Sequence, residues 1–341
     1  MVLGLNKIYR GDALEVLKTF PDESINCVVT SPPYWALRNY GMDGQLGLEP
    51  TFDLYIKNLC DIFDEVKRVL KKDGTCWVNI GDTYMGNSSY SEKGRQGFGK
   101  DKIGMINKQQ WVDPKYKSVG DSRLRAREHV ESCDIKSKSL CNIPARFSIE
   151  MTNREWILRN EIIWYKPNAM PSSVKDRFTV DFEKVFFFVK SKQYYFETQY
   201  EDFKSKPTKL RDKRNEEYNK AYLTPLGKGL RNGYEQGARN RRCVWQVNTT
   251  PLKDSHFATY PKKLIEPMIQ AGCPKDGIVL DMFMGAGTTG VVALSQHKNY
   301  VGIELNPEYI TIAEKRIQKI KDKEVITIKD GVIKKGLDIW F

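Results

Sequence analysis

The segment TSPPYW, Thr30 to Trp35, sets a hydroxyl, two consecutive prolines and an aromatic ring directly after an apolar run. Proline fixes φ and carries no amide hydrogen, so two in succession leave nearby carbonyls without their usual turn partners. Ser31 Oγ and the Pro32 carbonyl can then both accept hydrogen bonds from one amine. Two acceptors on an NH2 group draw its lone pair out of conjugation with an attached ring, and the nitrogen becomes nucleophilic. Tyr34 adds a flat face on which an unstacked base can lie. A Pro-Pro turn with packed aromatics would read the same way in isolation. A second motif weighs against that.

DMFMGAGTTG, Asp281 to Gly290, stands where a strand pattern gives way to a helix. Gly285 and Gly287 permit a tight turn and a close ligand, and the helix start offers free amides. The pattern is neither G-x-G-x-x-G nor followed by G-K-[ST], which disfavours NAD and ATP. About twenty residues on, VGIELN ends a strand at Glu304, where a carboxylate can accept both hydroxyls of a ribose. An exposed strand-end acid is the plain alternative.

Both motifs need elements to hold them. INCVVT (Ile25 to Thr30) and TCWVNI (Thr75 to Ile80) read as buried strands. Between them Leu54, Ile56, Leu59, Ile62, Phe63, Val66 and Leu70 recur near helical spacing over 52–70, and Asp73-Gly74 supplies the next turn. The alternation returns at the other end, with a strand from Gly277, a helix over 286–296, a strand over 300–304 and a helix over 307–320 opened by Pro307. Alternating strands and helices predict a parallel sheet covered on both faces, shared by the two ends of the chain. NEIIWY and KVFFFVK predict strands that return the chain to it.

The chain has 341 residues, enough for one large core with an appended or inserted module. No stretch approaches a membrane span, and MVLGLNKIYRGD lacks the order of a signal peptide, so a cytoplasmic protein is expected. Seven scattered cysteines without a C-x2-C pair, and three histidines, predict neither a disulfide framework nor a metal site. A net charge of +12 suggests a polyanionic partner. Residues 190–242 carry 14 Lys/Arg against 7 Asp/Glu with tyrosines interleaved, which fits a surface that holds phosphates and stacks on bases. A solvated loop region is the bland alternative. Arg211, Arg214, Arg231, Arg239, Arg241 and Arg242 are the candidate DNA contacts, though spacing does not show which reach a base edge.

TSPPYW resembles the catalytic motif of the amino-directed DNA methyltransferases, and DMFMGAGTTG resembles their methyl-donor motif. HFATYPKKLIEPMI (256–269), GDALEVL (11–17) and FTVDFEKVFFFVKS (178–191) resemble further segments of the family, the last an extended hairpin lining the target-base pocket. The order, catalytic motif first and donor motif last, is that of the beta class. The resemblance implies a circularly permuted class I methyltransferase fold: a seven-stranded, mostly parallel sheet with helices on both faces and an inserted target-recognition region. It divides the chain into 1–84 (catalytic half), 85–138 (variable basic insertion), 139–191 (return and base-pocket hairpin), 192–248 (target recognition) and 249–341 (donor half). It implies S-adenosyl-L-methionine as cofactor and double-stranded DNA as partner, and leaves open a homodimer and a cognate restriction endonuclease. Ser31, Pro32, Pro33 and Tyr34 are the catalytic candidates. Asp12, Thr30, His256, Phe257, Thr259, Asp281, Phe283, Gly285, Gly287, Thr288, Thr289, Glu304 and Asn306 are those for the donor. Serine in the first motif position usually accompanies cytosine N4 rather than adenine N6 in this family, so cytosine is favoured and adenine stays open. RNA methylation and DNA binding without catalysis are the more distant alternatives.

Overall fold

A computed structural model describes residues 3–37, 40, 42, 44–85, 135–202, 238–250 and 259–329. In chain order they form β1 (Lys7–Arg10), α1 (Ala13–Lys18), β2 (Ile25–Thr30), α2 (Phe52–Val69), β3 (Leu70–Ile80), α3 (Ile143–Asn153), β4 (Ile157–Tyr165) and β5 (Phe182–Val189). Then follow β6 (Tyr200–Asp202), β7 (Ala238–Asn240), β8 (Val244–Gln246), α4 (Lys262–Gly272), β9 (Ile278–Asp281), α5 (Thr288–Ser295), β10 (Asn299–Glu304) and α6 (Pro307–Lys329).

Thr51 caps α2 by accepting from the Leu54 amide at 3.2 Å. Tyr55, Leu59, Phe63 and Val66 recur on one face and are fully buried. Leu54, expected on that face, is 40 % exposed. At about 100° per residue it points away from the stripe centred on Leu59. No separate turn at Asp73-Gly74 divides helix from strand. β3 begins at Leu70, and its register with β2 slips between Ile25 and Cys27.

The main sheet runs β1-β10-β9-β2-β3-β5-β4-β8. Pairing is parallel throughout except for β5, which is antiparallel to both neighbours. Lys7 of β1 pairs with Val301 of β10, so the first and last strands are neighbours. Among the described residues this sheet has eight strands rather than seven. The extra one, β8, adds three residues beside β4, with Val244 opposite Ile163. It is too short to show a periodicity, and the contact that holds it, Trp164 Nε1 donating to the Val247 carbonyl at 2.8 Å, is tertiary.

Successive strand residues supply two separate cores. Val28, Cys76, Val78, Phe186 and Phe188 pack with α1, α2 and α3 on one face. Val29, Trp77, Val185, Phe187 and Val279 pack with α4, α5 and α6 on the other. Trp77 and Phe187 stack at 4.0 Å between centroids and clamp β3 to the antiparallel strand.

Candidate active site

β9 and β2 lie side by side, with Val28 opposite Leu280. Their carboxyl ends therefore bring together residues 251 positions apart, and the Thr30 hydroxyl donates to Asp281 Oδ1 at 2.6 Å. Oδ1 also accepts from the Phe283 amide at 3.1 Å. Oδ2 accepts from Thr289 Oγ1 at 2.6 Å and from the Tyr260 hydroxyl at 2.8 Å. Asp281 is 1 % exposed. Burial pushes its carboxyl above the ordinary range, while the hydroxyls of Thr289, Thr30 and Tyr260 pull it back. Four donors fill the acceptor sites of a carboxylate. Asp281 is thus a tie between β2, β9, α5 and the segment before α4. Tyr260 was not among the expected site residues, although its neighbour Thr259 was.

The turn after β9 has Gly285 at φ 49° and Gly287 at φ 77°, backbone that residues with a Cβ adopt at a cost. A Cβ on Gly285 would meet nothing nearer than the Phe283 carbonyl oxygen at 3.9 Å, so the space above it is open. Gly287 starts α5 without a side-chain cap, which leaves the first-turn amides available. Arg316 of α6 bonds the Ala286 carbonyl and reaches Thr288 Oγ1 at 3.3 Å, steadying the turn from outside. Glu304 faces this turn. Its Oε2 accepts from the Gly285 amide at 2.7 Å and its Oε1 from the Asn306 amide at 2.8 Å. Burial pushes Glu304 up, against the pull of those two amides. Each oxygen keeps one lone pair for a ligand hydroxyl. Asn306 is otherwise engaged, accepting from the Glu308 amide at 2.8 Å at the start of α6.

The loop after β2 is held from behind. Tyr55 donates to the Pro33 carbonyl at 2.9 Å, Trp35 Nε1 to the Glu49 carbonyl at 2.9 Å, and the Ala36 amide to the Gly47 carbonyl at 2.9 Å. Among the described residues none donates to the Pro32 carbonyl. Half-buried Tyr34 donates to Glu183 Oε2 at 2.7 Å. Asn79 Nδ2 reaches the same oxygen at 3.1 Å, and Lys166 pairs with the other oxygen. Burial, then Glu183, pushes the Tyr34 phenol well up, whereas the neighbouring Ser31 hydroxyl pulls it down. Gly81 lies against the ring, where a Cβ would fall 2.4 Å from Tyr34 Cε2.

Glu183, Lys166, Asn79 and Gly81 were not anticipated. The one hint was Glu183-Lys184, a charged pair opening an otherwise apolar strand. Asp12 lies at the same sheet edge, since the Gly11 amide donates to the Glu304 carbonyl at 3.1 Å. Its own side chain caps α1 by accepting from the Glu15 amide at 3.1 Å. Of the six arginines, Arg239 and Arg242 both pair with Glu201, at 2.8 and 2.6 Å, and Arg241 stacks on Trp245 at 4.5 Å. Arg211, Arg214, Arg231, His256 and Phe257 lie outside the described residues.

The mostly parallel α/β sheet thus carries a glycine turn and a Pro-Pro turn at the carboxyl ends of the neighbouring strands β9 and β2. Residues 25–315 match the DNA methylases, and the chain belongs to that family. It is 39 % identical over 322 residues to the type II methyltransferase M.Cfr9I of Citrobacter freundii, covering 94 % of this chain and 90 % of that one. It is 40 % identical to M.XycI of Xanthomonas campestris pv. cyanopsidis, covering 93 % and 89 %. The fold matches the PvuII DNA methyltransferase (cytosine-N4-specific), with a TM-score of 0.58 at 20 % identity over 94 % of this chain and 91 % of that one. It also matches a putative DNA modification methylase from Thermus thermophilus complexed with S-adenosyl-L-methionine, with a TM-score of 0.53 at 22 % identity over 92 % and 94 %.

Proposed function

We propose that the protein moves a methyl group from S-adenosyl-L-methionine to the exocyclic N4 amine of a cytosine turned out of duplex DNA, as the modifying partner of a restriction enzyme. The observation that carries this reading is the acceptor pair of Ser31 Oγ and the Pro32 carbonyl on the sheet edge that also bears the glycine turn. The open space above Gly285, the spare lone pairs of Glu304 and the uncapped start of α5 fit the donor. Glu304 would take the ribose hydroxyls, and the α5 amides the carboxylate of the methionine part. When bound, S-adenosyl-L-methionine supplies an electrophilic sulfonium methyl.

The chain's own residues then prepare the amine. Tyr34 carries the face of the unstacked base, with its hydroxyl fixed by Glu183. Ser31 and Pro32 accept from the amine and localise its lone pair on nitrogen. Catalysis by positioning and directed hydrogen bonds needs no covalent enzyme intermediate. The serine in the first motif position is what favours cytosine.

Gly81→Ala tests the platform. The added methyl must displace a ring whose hydroxyl is held by Glu183 and Asn79, and a shift of about 1 Å can cost on the order of 10²-fold in rate. Single-turnover methylation is expected to fall accordingly while donor affinity holds. An unchanged rate would remove Tyr34 from the reaction.

The base itself is decided by mass spectrometry of nucleosides from DNA treated with the protein and labelled donor. N4-methylcytosine is the expected product. N6-methyladenine alone refutes the choice of base, and DNA left without label while RNA offered in parallel is labelled refutes the substrate.

A further inference from the structure

The loop between β4 and β5, residues 166–181, is tied down along its length. The Lys166 amide donates to the Asp181 carbonyl at 2.7 Å, closing its base. Asn168 exchanges hydrogen bonds with Thr249 at 3.0 and 2.8 Å. Asp176 pairs with Lys138 at 2.8 Å, and the Arg177 guanidinium lies 3.4 Å above the Tyr84 ring. Yet this anchored loop carries the two most exposed large apolar side chains among the described residues, Phe178 at 97 % and Met170 at 87 %. Single exposed apolar groups are ordinary. A fully exposed ring on a fixed loop invites a partner.

The loop springs from the candidate base pocket. Lys166 at its start pairs with Glu183 just beyond its end, and Glu183 holds the Tyr34 hydroxyl. Tyr84, under Arg177, follows the Gly81 that supports the Tyr34 ring. Lys175 and Arg177 precede Phe178 in the same loop, and the acid between them pairs with Lys138. Basic groups therefore lie beside an exposed ring, the chemistry of an apolar side chain that enters a base stack next to phosphate contacts.

We propose that Phe178 is a wedge that enters duplex DNA beside the target base and occupies the space left when that base turns into the pocket. This rests on the DNA-methylating reading above. The anchors matter because a wedge held rigidly does not give way to the stack it must part. Turning out a base that is already unpaired costs less, so such a substrate has less need of the wedge.

The test compares the parent and Phe178→Ala in single-turnover methylation of two duplexes, one with the target base paired and one with it opposite an abasic position. Loss on the paired duplex is expected on the order of 10- to 100-fold, with rates within about threefold of the parent on the abasic one. Phe178→Leu, which keeps an apolar wedge, should recover much of the paired-duplex rate. Because the ring is exposed, thermal unfolding should be unchanged. Equal losses on both duplexes, or no loss on either, overturn the proposal. So does a Phe178→Ala protein that sediments as a smaller species than the parent, since the loop would then join two copies of the chain. A parent inactive on both duplexes removes the methylation reading itself, which separates the two failures.

Discussion

Ser31→Ala is expected to lower single-turnover methylation on the order of 10²- to 10³-fold, the range seen when one directed hydrogen-bonding group is removed from a reacting centre. Donor affinity should change less than about twofold, because Ser31 acts on the amine and only as its lone pair is drawn out of the ring. In this role Ser31 is needed as a hydrogen-bond acceptor. Ser31→Cys, whose sulfur is a weak acceptor, should recover little. Stopped reactions at saturating donor and DNA measure the rate, and calorimetry measures donor binding. A variant as fast as the parent would strip Ser31 of its role and the Pro-Pro turn of its chemical meaning.

Asp281→Ala should behave differently, losing stability and donor affinity together. The substitution leaves Thr30, Thr289, Tyr260 and the Phe283 amide facing a void without their acceptor. An unsatisfied buried donor costs about 1–3 kcal/mol, though entering water and rotating hydroxyls recover part of the sum. A loss of about 3–5 kcal/mol is expected, comparable to breaking a buried polar pair. The glycine turn begins four residues later, at Gly285, and should loosen with it, weakening donor binding. Asp281→Asn, which keeps one carbonyl oxygen, should be the milder change. Denaturant unfolding followed by fluorescence tests this, and an alanine variant with the parent's midpoint would mean that the four contacts contribute nothing.

What the sequence disclosed was whatever is contiguous along it. The Gly285–Gly287 turn, Glu304 at a strand end and the Ser31–Tyr34 run each stand out because the proposed chemistry calls for such residues close together in sequence. The sheet was legible for the same reason, as each strand and helix carries its own period. What escaped was made by contact. Tyr260 matters through an acid 21 positions away, and Glu183 through a ring 149 positions away. Neither partner marks the other in sequence. Asp281 was read as a donor contact, and the fold shows it occupied by four protein donors. Leu54 was lost by reading spacing loosely over a helix whose buried stripe is narrower than the list of its apolar residues. β8 was lost because three residues have no period.

The pairing of β1 with β10 has a consequence for how the molecule is made. The Thr30–Asp281 contact cannot form until the second of its strands has been synthesised, and β1 waits longer still for its neighbour. Contacts that span most of a chain close late and slowly. A growing chain on the ribosome would therefore carry the Pro-Pro turn for most of synthesis without the glycine turn beside it. The sheet is completed only as β10, the last strand among the described residues, docks between β1 and β9.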